Sequence, residues 1–269
     1  VERLLIFETL QKFRLNECNA ARETLQRVLP ALAKYLSGAG NEIFTSEQAE
    51  YFRRYRWLKV TNHLTEDFNR RVTEIAKNTG KNIYALASRN QVVGEEYSDE
   101  TAILFVDGLG AEYLNFLAED FAPLTENFSV KYRVGRCNLP SVTENNKDFL
   151  QDGNVFYEIL DLDTIKHTNL NYPENILGEL EFLVTLKEKF LRAVDMFKKV
   201  ILCSDHGTSR LSVLARQTKF DNAFPAEERQ IYKSGRFADA MAGDEKIFPN
   251  ALEYDGKIIF ADYSRFIQK

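Results

Sequence analysis

The side chains best suited to chemistry stand where two apolar runs end. Ala102-Ile103-Leu104-Phe105-Val106 gives way abruptly to Asp107-Gly108, and Val200-Ile201-Leu202-Cys203 to Ser204-Asp205-His206-Gly207. Short aliphatic runs of this kind read as buried strands, and in open α/β sheets ligands bind beyond the carboxyl ends of the strands. Asp107, Asp205 and His206 can therefore converge although they are distant in sequence. Two carboxylates and an imidazole suit a divalent cation of borderline character, zinc or manganese. Taken singly, each motif also reads as an ordinary strand exit, because Asp and Gly favour turns.

Between the two runs lies Leu139-Pro140-Ser141-Val142-Thr143-Glu144-Asn145-Asn146-Lys147, expected to follow a strand and to open a helix. A hydroxyl there meets free backbone N–H groups that favour anions, and a Thr beside a divalent cation can act as a nucleophile. Ser141 or Thr143 serves equally well as a plain helix N-cap. A fourth segment, Ile159-Leu160-Asp161-Leu162-Asp163-Thr164-Ile165-Lys166-His167, ends an apolar run in carboxylates. Asp163 and His167, four apart, share one face of a helical turn and could bind one ion; a solvated loop carrying Lys166 is the other reading.

The order of these motifs, Asp-Gly, Pro-Ser-x-Thr-x-x-Asn, Asp-x-x-x-His and Ser-Asp-His-Gly, resembles the alkaline phosphatase superfamily, specifically its PglZ domains. Residues 100 to 269 carry the resemblance. The part before them resembles what precedes this domain in some PglZ proteins of bacteriophage-exclusion (BREX) systems. The resemblance implies that Asp107, Thr143, Asp205 and His206 hold one metal, with Thr143 also the nucleophile. Asp163 and His167 would belong to a second metal, and Asn146 would contact phosphate. Ser234-Gly235-Arg236-Phe237 resembles a Gly-Arg-aromatic segment of PglZ domains, so Arg236 is a candidate phosphate clamp, although an ordinary salt bridge suits it as well.

In superfamily members with two metals, the second ion takes another histidine late in the domain. The one remaining histidine here is His63, far upstream. Either that ligand lies beyond Lys269, where PglZ domains commonly continue into a His-Gly-Gly type segment, or the second site is degenerate. In both cases one metal is expected to be held more firmly than two. The implied function is a metal-dependent phosphohydrolase of bacterial phage defence, cytoplasmic, acting on a phosphomonoester or phosphodiester, a nucleotide or nucleic acid among the candidates. Other phage-defence proteins would be its partners. The alternative is a non-catalytic binding or scaffold module that keeps the phosphatase-superfamily fold.

These residues need strands to carry them and helices to cover the strands. Strands are predicted over Ala102 to Val106, Ser129 to Val134, Val155 to Leu160, Val200 to Cys203 and Lys257 to Phe260. Helices are predicted over Glu112 to Phe121 and Leu177 to Met196. Alternating strands and helices predict an α/β class: a mostly parallel sheet sandwiched by helices, alkaline-phosphatase-like, over residues 96–269. Residues 1–95 read as a helical segment. Leu25, Val28, Leu29, Leu32 and Leu36 recur at helical spacing up to Gly38-Ala39-Gly40. Thr45 with Gln48 forms a capping box for a helix bearing Tyr51, Phe52, Tyr55 and Leu58, and Leu64, Phe68, Val72 and Ile75 form a run ending near Gly80. The basic and aromatic run Arg53 to Lys59 is expected to turn its aromatics to the core and leave its arginines solvated, in preference to a nucleic-acid surface. Lys131, Arg133 and Arg136 either steer an anionic substrate or form the exposed face of a strand.

With 269 residues the chain can build a substantial core, and its net charge of −5 gives no general reason to expect nucleic-acid or membrane binding. Cys18, Cys137 and Cys203 are odd in number and widely spaced, which points to neither a disulfide framework nor a cysteine zinc site and suggests a reducing cytoplasm. No run approaches the roughly 20 apolar residues of a membrane span. The chain opens on Val1 without a signal-peptide pattern and stops after Arg265-Phe266-Ile267-Gln268-Lys269, which reads as a piece of a longer protein truncated at its C-terminus.

Overall fold

Thr101–Val106 is apolar or β-branched at every position, and all six residues are buried. A strand buried on alternate sides must be covered on both faces, which is the condition of a central strand in an α/β sheet. In the computed structural model this strand, β1, lies between Val155–Ile159 (β2) and Lys199–Cys203 (β3), both parallel to it, in the order β2-β1-β3. The structure describes residues 2–13, 17–138, 141, 143–147, 155–168, 171–208, 210, 211, 214, 237–239, 251–254 and 256–260. The chain divides into two compact units, one of Val1–Thr61 with Ala87–Thr208 and one of Asn62–Leu86 with Ser209–Lys269. Among the described residues no helix is long and apolar enough to cross a membrane.

The first unit surrounds the parallel sheet with helices Glu2–Leu10 (α1), Cys18–Val28 (α2), Pro30–Tyr35 (α3) and Ser46–Val60 (α4). The next helix in the chain, Glu66–Tyr84 (α5), belongs to the second unit; the first resumes with Arg89–Glu96 (α6), Leu114–Phe121 (α7), Asp161–His167 (α8) and Glu174–Met196 (α9). Phe7, Leu32, Trp57, Leu104, Phe116, Ile159 and Leu183 belong to one buried cluster. Helices from before residue 95 and strands from after it thus share a core.

Local chemistry explains where these elements start and stop. Thr45 caps α4 through a complete capping box: its hydroxyl accepts from the Gln48 N–H, and the Gln48 side chain accepts from the Thr45 N–H. The apolar run from Leu25 to Leu36 is two helices, because Pro30 has no N–H to donate and pushes Leu29 out of helical geometry to φ −150°. The helix expected from Glu112 begins as a 3-10 turn, Ala111–Tyr113, before α7.

Two expected strands behave differently. Residues 129–134 form none: among the described residues no neighbouring strand offers them a ladder, and Arg136 beyond them makes an isolated bridge to Ser88. Lys257–Phe260 (β6) does form, outside the parallel sheet. It pairs antiparallel with Phe237–Asp239 (β4) and Ala251–Tyr254 (β5) in the order β4-β6-β5 within the second unit. The α/β class holds, with a parallel sheet of three strands among the described residues. In the same unit α5 runs past Gly80, where its end was expected, and His63 is exposed in the turn before it rather than helical.

Candidate metal centre at the strand ends

The register of β1 against β3 sets Phe105 opposite Cys203, so Asp107 and Asp205, each two residues further on, leave the sheet side by side. β1 also lies where the strand order reverses, with β2 and β3 on opposite sides, the position that favours ligand binding in open sheets. Two glycines let the exits approach. A Cβ on Gly110 would lie 2.7 Å from the Gly207 Cα, and Gly108 turns with φ +75°, a conformation other residues rarely adopt.

The result is a buried group of ligand atoms. Asp107, Asp205 and His206 place theirs all within 4.8 Å of one another, the one such group of three found among the described residues. Asp205 is anchored through Oδ1, which accepts from the Gly108 N–H at 2.9 Å and from the Ser204 hydroxyl at 3.2 Å. Its Oδ2 accepts from the Thr143 hydroxyl at 2.9 Å and lies 3.0 Å from His206 Nε2. His206 Nδ1 is 3.1 Å from the Gly207 carbonyl, which can only accept, and a proton on Nδ1 would leave Nε2 as the nitrogen able to bind a metal. Asp205 Oδ2, 3.0 Å from Nε2, is an acceptor as well, so this contact calls for a proton or a cation between the two. Thr143 Oγ1 is 3.1 Å from the same Nε2.

The donor set fits a divalent cation on two grounds. Asp107 is 5% exposed, yet its Oδ1 has no hydrogen-bond partner. A buried carboxylate oxygen left unpaired is costly. Burial, then the Asp205 charge and Asp163, push the Asp107 carboxyl up to about 7, while Lys147 opposes them. Burial would also raise Asp205, but the Gly108 N–H and His206 hold it below the usual carboxylate range. Two like charges within 4.8 Å of one another repel by roughly 3.5 kcal/mol or more at an effective dielectric of 20. A cation between them would turn that repulsion into attraction. Two carboxylates and an imidazole suit zinc or manganese.

The Thr143 loop is closed at its base rather than opened into a helix. Thr143–Asn145 is a 3-10 turn of three residues. Asn146, fully buried, accepts through Oδ1 from the Asn138 N–H at 2.7 Å, and Asn138 Nδ2 donates to the Asn145 carbonyl at 2.9 Å. The Asn146 amide, a candidate phosphate contact by sequence, is therefore bonded within its own loop. Arg89 ties this loop to β3: its Nη1 donates to the Asn146 carbonyl and, at 3.3 Å, to that of Ser204.

His167 stands apart from the group, while Asp163 lies near enough to raise Asp107 without joining it. Asp163 Oδ1 and Lys166 Nζ each lie 3.7 Å from where a Gly108 Cβ would be. His167, its side chain 79% exposed, reaches Asp163 with Nε2 at 3.3 Å and does not join Asp107. Lys166 donates to the Gly108 carbonyl at 2.6 Å. Arg236 lies outside the described residues. Lys131 and Arg133 are paired with Glu95 and Glu96, so their charge is answered on α6. Burial pushes the Cys203 thiol up to about 12, consistent with a packed, inert side chain.

Sequence reasoning missed Arg89, near the end of the segment read as helical, and Lys147, which closes the Thr143 motif. Lys147 Nζ lies 2.7 Å from Glu158 Oε1 and 3.7 Å from Asp107 Oδ2. A lysine four residues after a candidate nucleophile was the available signal. Comparison with protein-family models, curated proteins and solved structures finds no match to this chain.

Proposed function

We propose that the first unit is a metal-dependent phosphohydrolase with Thr143 as nucleophile. The observation that carries this reading is the Thr143 hydroxyl, held at 2.9 Å from Asp205 and 3.1 Å from His206 where β1 and β3 end. Asp107, Asp205 and His206 would hold the cation, with Thr143 Oγ1 beside them. When bound it supplies Lewis-acid stabilisation of charge on the phosphoryl oxygens. Thr143 Oγ1 attacks phosphorus as its proton passes to Asp205 Oδ2, the P–O bond to the leaving group breaks, and that proton goes on to the departing alkoxide. Water then attacks the phosphothreonine, one of its protons passes through Asp205 Oδ2 to Oγ1 as the Oγ1–P bond breaks, and inorganic phosphate leaves.

The order of motifs shared with PglZ domains supports a phosphoester substrate, with a nucleotide or nucleic acid as candidates, and a place among bacterial phage-defence proteins. One observation favours a second reading, a binding module that holds one metal without turnover: His167 points to solvent and completes no second site among the described residues. Hydrolysis of aryl phosphate mono- and diesters by zinc- or manganese-loaded protein separates the two. On the enzyme reading, Thr143→Ala lowers the rate on the order of 10³-fold while bound metal persists, and Asp205→Ala loses the metal itself. Rates equal in wild type and Thr143→Ala would sink the nucleophile assignment.

A further inference from the structure

Lys147 is placed by the same turn as Thr143. Its ammonium bonds Glu158 on β2 at 2.7 Å, approaches Asp107 Oδ2 at 3.7 Å and sits 5.7 Å from the Phe105 ring centre. β2 is in register for this, since Glu158 pairs with Phe105, two residues before Asp107. Asp107 thus shows one oxygen to a fixed cation and keeps the other, Oδ1, unpartnered and buried. The Lys147 side chain is one-third exposed, so it has donors to offer outward.

Gly108, next to Asp107, is flanked by Asp163 and Lys166, and His167 faces solvent. A second divalent ion beside Asp107 would meet these ammonium groups and, among the described residues of the first unit, lack a histidine. We propose that Lys147 takes the place of that second ion: the centre holds one divalent cation, and a phosphate oxyanion binds between it and the Lys147 ammonium. The inference rests on the reading of Asp107, Asp205 and His206 as a metal centre, and it concerns binding rather than turnover. Lysine suits the role, because its compact ammonium acts as a point charge toward phosphate.

The test uses the full chain and two probes, zinc alone and inorganic phosphate. Zinc is titrated calorimetrically into metal-free protein, and phosphate into zinc-loaded protein cleared of excess metal. Wild type is expected to bind one zinc equivalent. Lys147→Ala is expected to bind zinc at least as tightly, since a competitor for Asp107 is gone, but phosphate at least tenfold more weakly; Lys147→Arg should recover most of that loss. Opposite signs for metal and anion distinguish an anion-binding lysine from one that merely supports the loop, whose loss would weaken both.

Two zinc equivalents in wild type, or phosphate affinity unchanged in Lys147→Ala, would overturn the proposal. Absence of zinc binding would overturn it together with the metal centre. Phosphate binding that depends on Lys147, without hydrolysis of any aryl phosphate, would uphold this inference and defeat the hydrolase reading alone.

Discussion

Two buried polar clusters lie within the first unit, and they are built to opposite ends. In one, Lys59 on α4 donates to Glu179 on α9 at 2.5 Å and to Glu112 at 2.9 Å, while Tyr35 bonds Glu112 and Tyr113 bonds Glu179, each at 2.6 Å. Burial alone would lower the Lys59 ammonium, but Glu112 and Glu179 hold it above its usual value. Burial would raise Glu112, yet Lys59 and Lys166 hold it below the usual carboxylate range. Each charge is stabilised by its neighbours. In the other cluster, Asp107 is raised because burial and the Asp205 charge act together against it. In charge the first cluster is answered from within the chain, although Glu112 Oε1, like Asp107 Oδ1, has no hydrogen-bond partner; the second asks for a cation from outside. Burying charge therefore does not identify a site. A charge left uncompensated does.

Breaking the satisfied cluster should cost most. Lys59→Met leaves two carboxylates buried without their cation, and removal of one partner from a buried ion pair typically costs about 3–5 kcal/mol. Urea unfolding should show a loss of that size. Asp107→Asn, at an equally buried position, should leave metal-free protein at neutral pH unchanged or more stable. A large loss from Asp107→Asn would erase the distinction between the clusters.

The next effect is a pH dependence confined to the second cluster. The Asp107 carboxyl is raised to about 7 in the folded chain, against about 3.9 unfolded. Above pH 4 the unfolded chain has released this proton and the folded chain still holds it, so stability falls as pH rises from about 4 to about 7 and then levels off. The difference in unfolding free energy between wild type and Asp107→Asn should trace this window in metal-free protein. Zinc should restore more stability above pH 7 than at pH 5, because it displaces that proton. A flat difference would remove the claimed mismatch.

The two clusters also differ in how far the sequence discloses them. Asp107, Asp205 and His206 are legible because an apolar run that stops on a ligand-type residue is a local signal, and parallel pairing of β1 and β3 turns two local signals into one site. The buried lysine is not legible. Arg53 to Lys59 has the composition of a solvated helical face, yet Arg56 and Lys59 are 1% exposed. Arg56 donates to Asn115 at 2.6 Å and to the Ser37 carbonyl at 3.3 Å. Their partners come from distant segments, Glu112 and Asn115 from beyond β1 and Glu179 from α9, and no periodicity within α4 encodes them. The same reasoning explains residues 129–134: alternation suggests a strand, but a strand needs a neighbour, and that is settled by topology. Lys257–Phe260 was legible as a strand, while its sheet was not.

A smaller effect tests whether backbone approach sets up the second cluster. Alanine at Gly110 places a Cβ 2.7 Å from the Gly207 Cα, so the β1 and β3 exits must part. Overpacking of this kind costs about 1–3 kcal/mol. Gly110→Ala should therefore lose more zinc affinity than its modest destabilisation suggests, because Asp107 and Asp205 move apart. Alanine at Gly94, which meets nothing within 4 Å, is the control.

The smallest expected effect is the sharpest for the edge of the site. His167 carries the residue type and the i, i+4 spacing of a ligand, but its side chain is 79% exposed and its contact is with Asp163 on its own helix. An exposed pair of this sort contributes about 0–1 kcal/mol. His167→Ala should change neither zinc stoichiometry nor zinc affinity by more than about twofold, and stability by less than about 0.5 kcal/mol. His206→Ala, at the same residue type and 13% side-chain exposure, should abolish tight binding. Loss of one of two bound ions in His167→Ala would mean that α8 swings its imidazole inward when metal is present, and the line between an answered charge and an unanswered one would then have to be drawn around Asp163 as well.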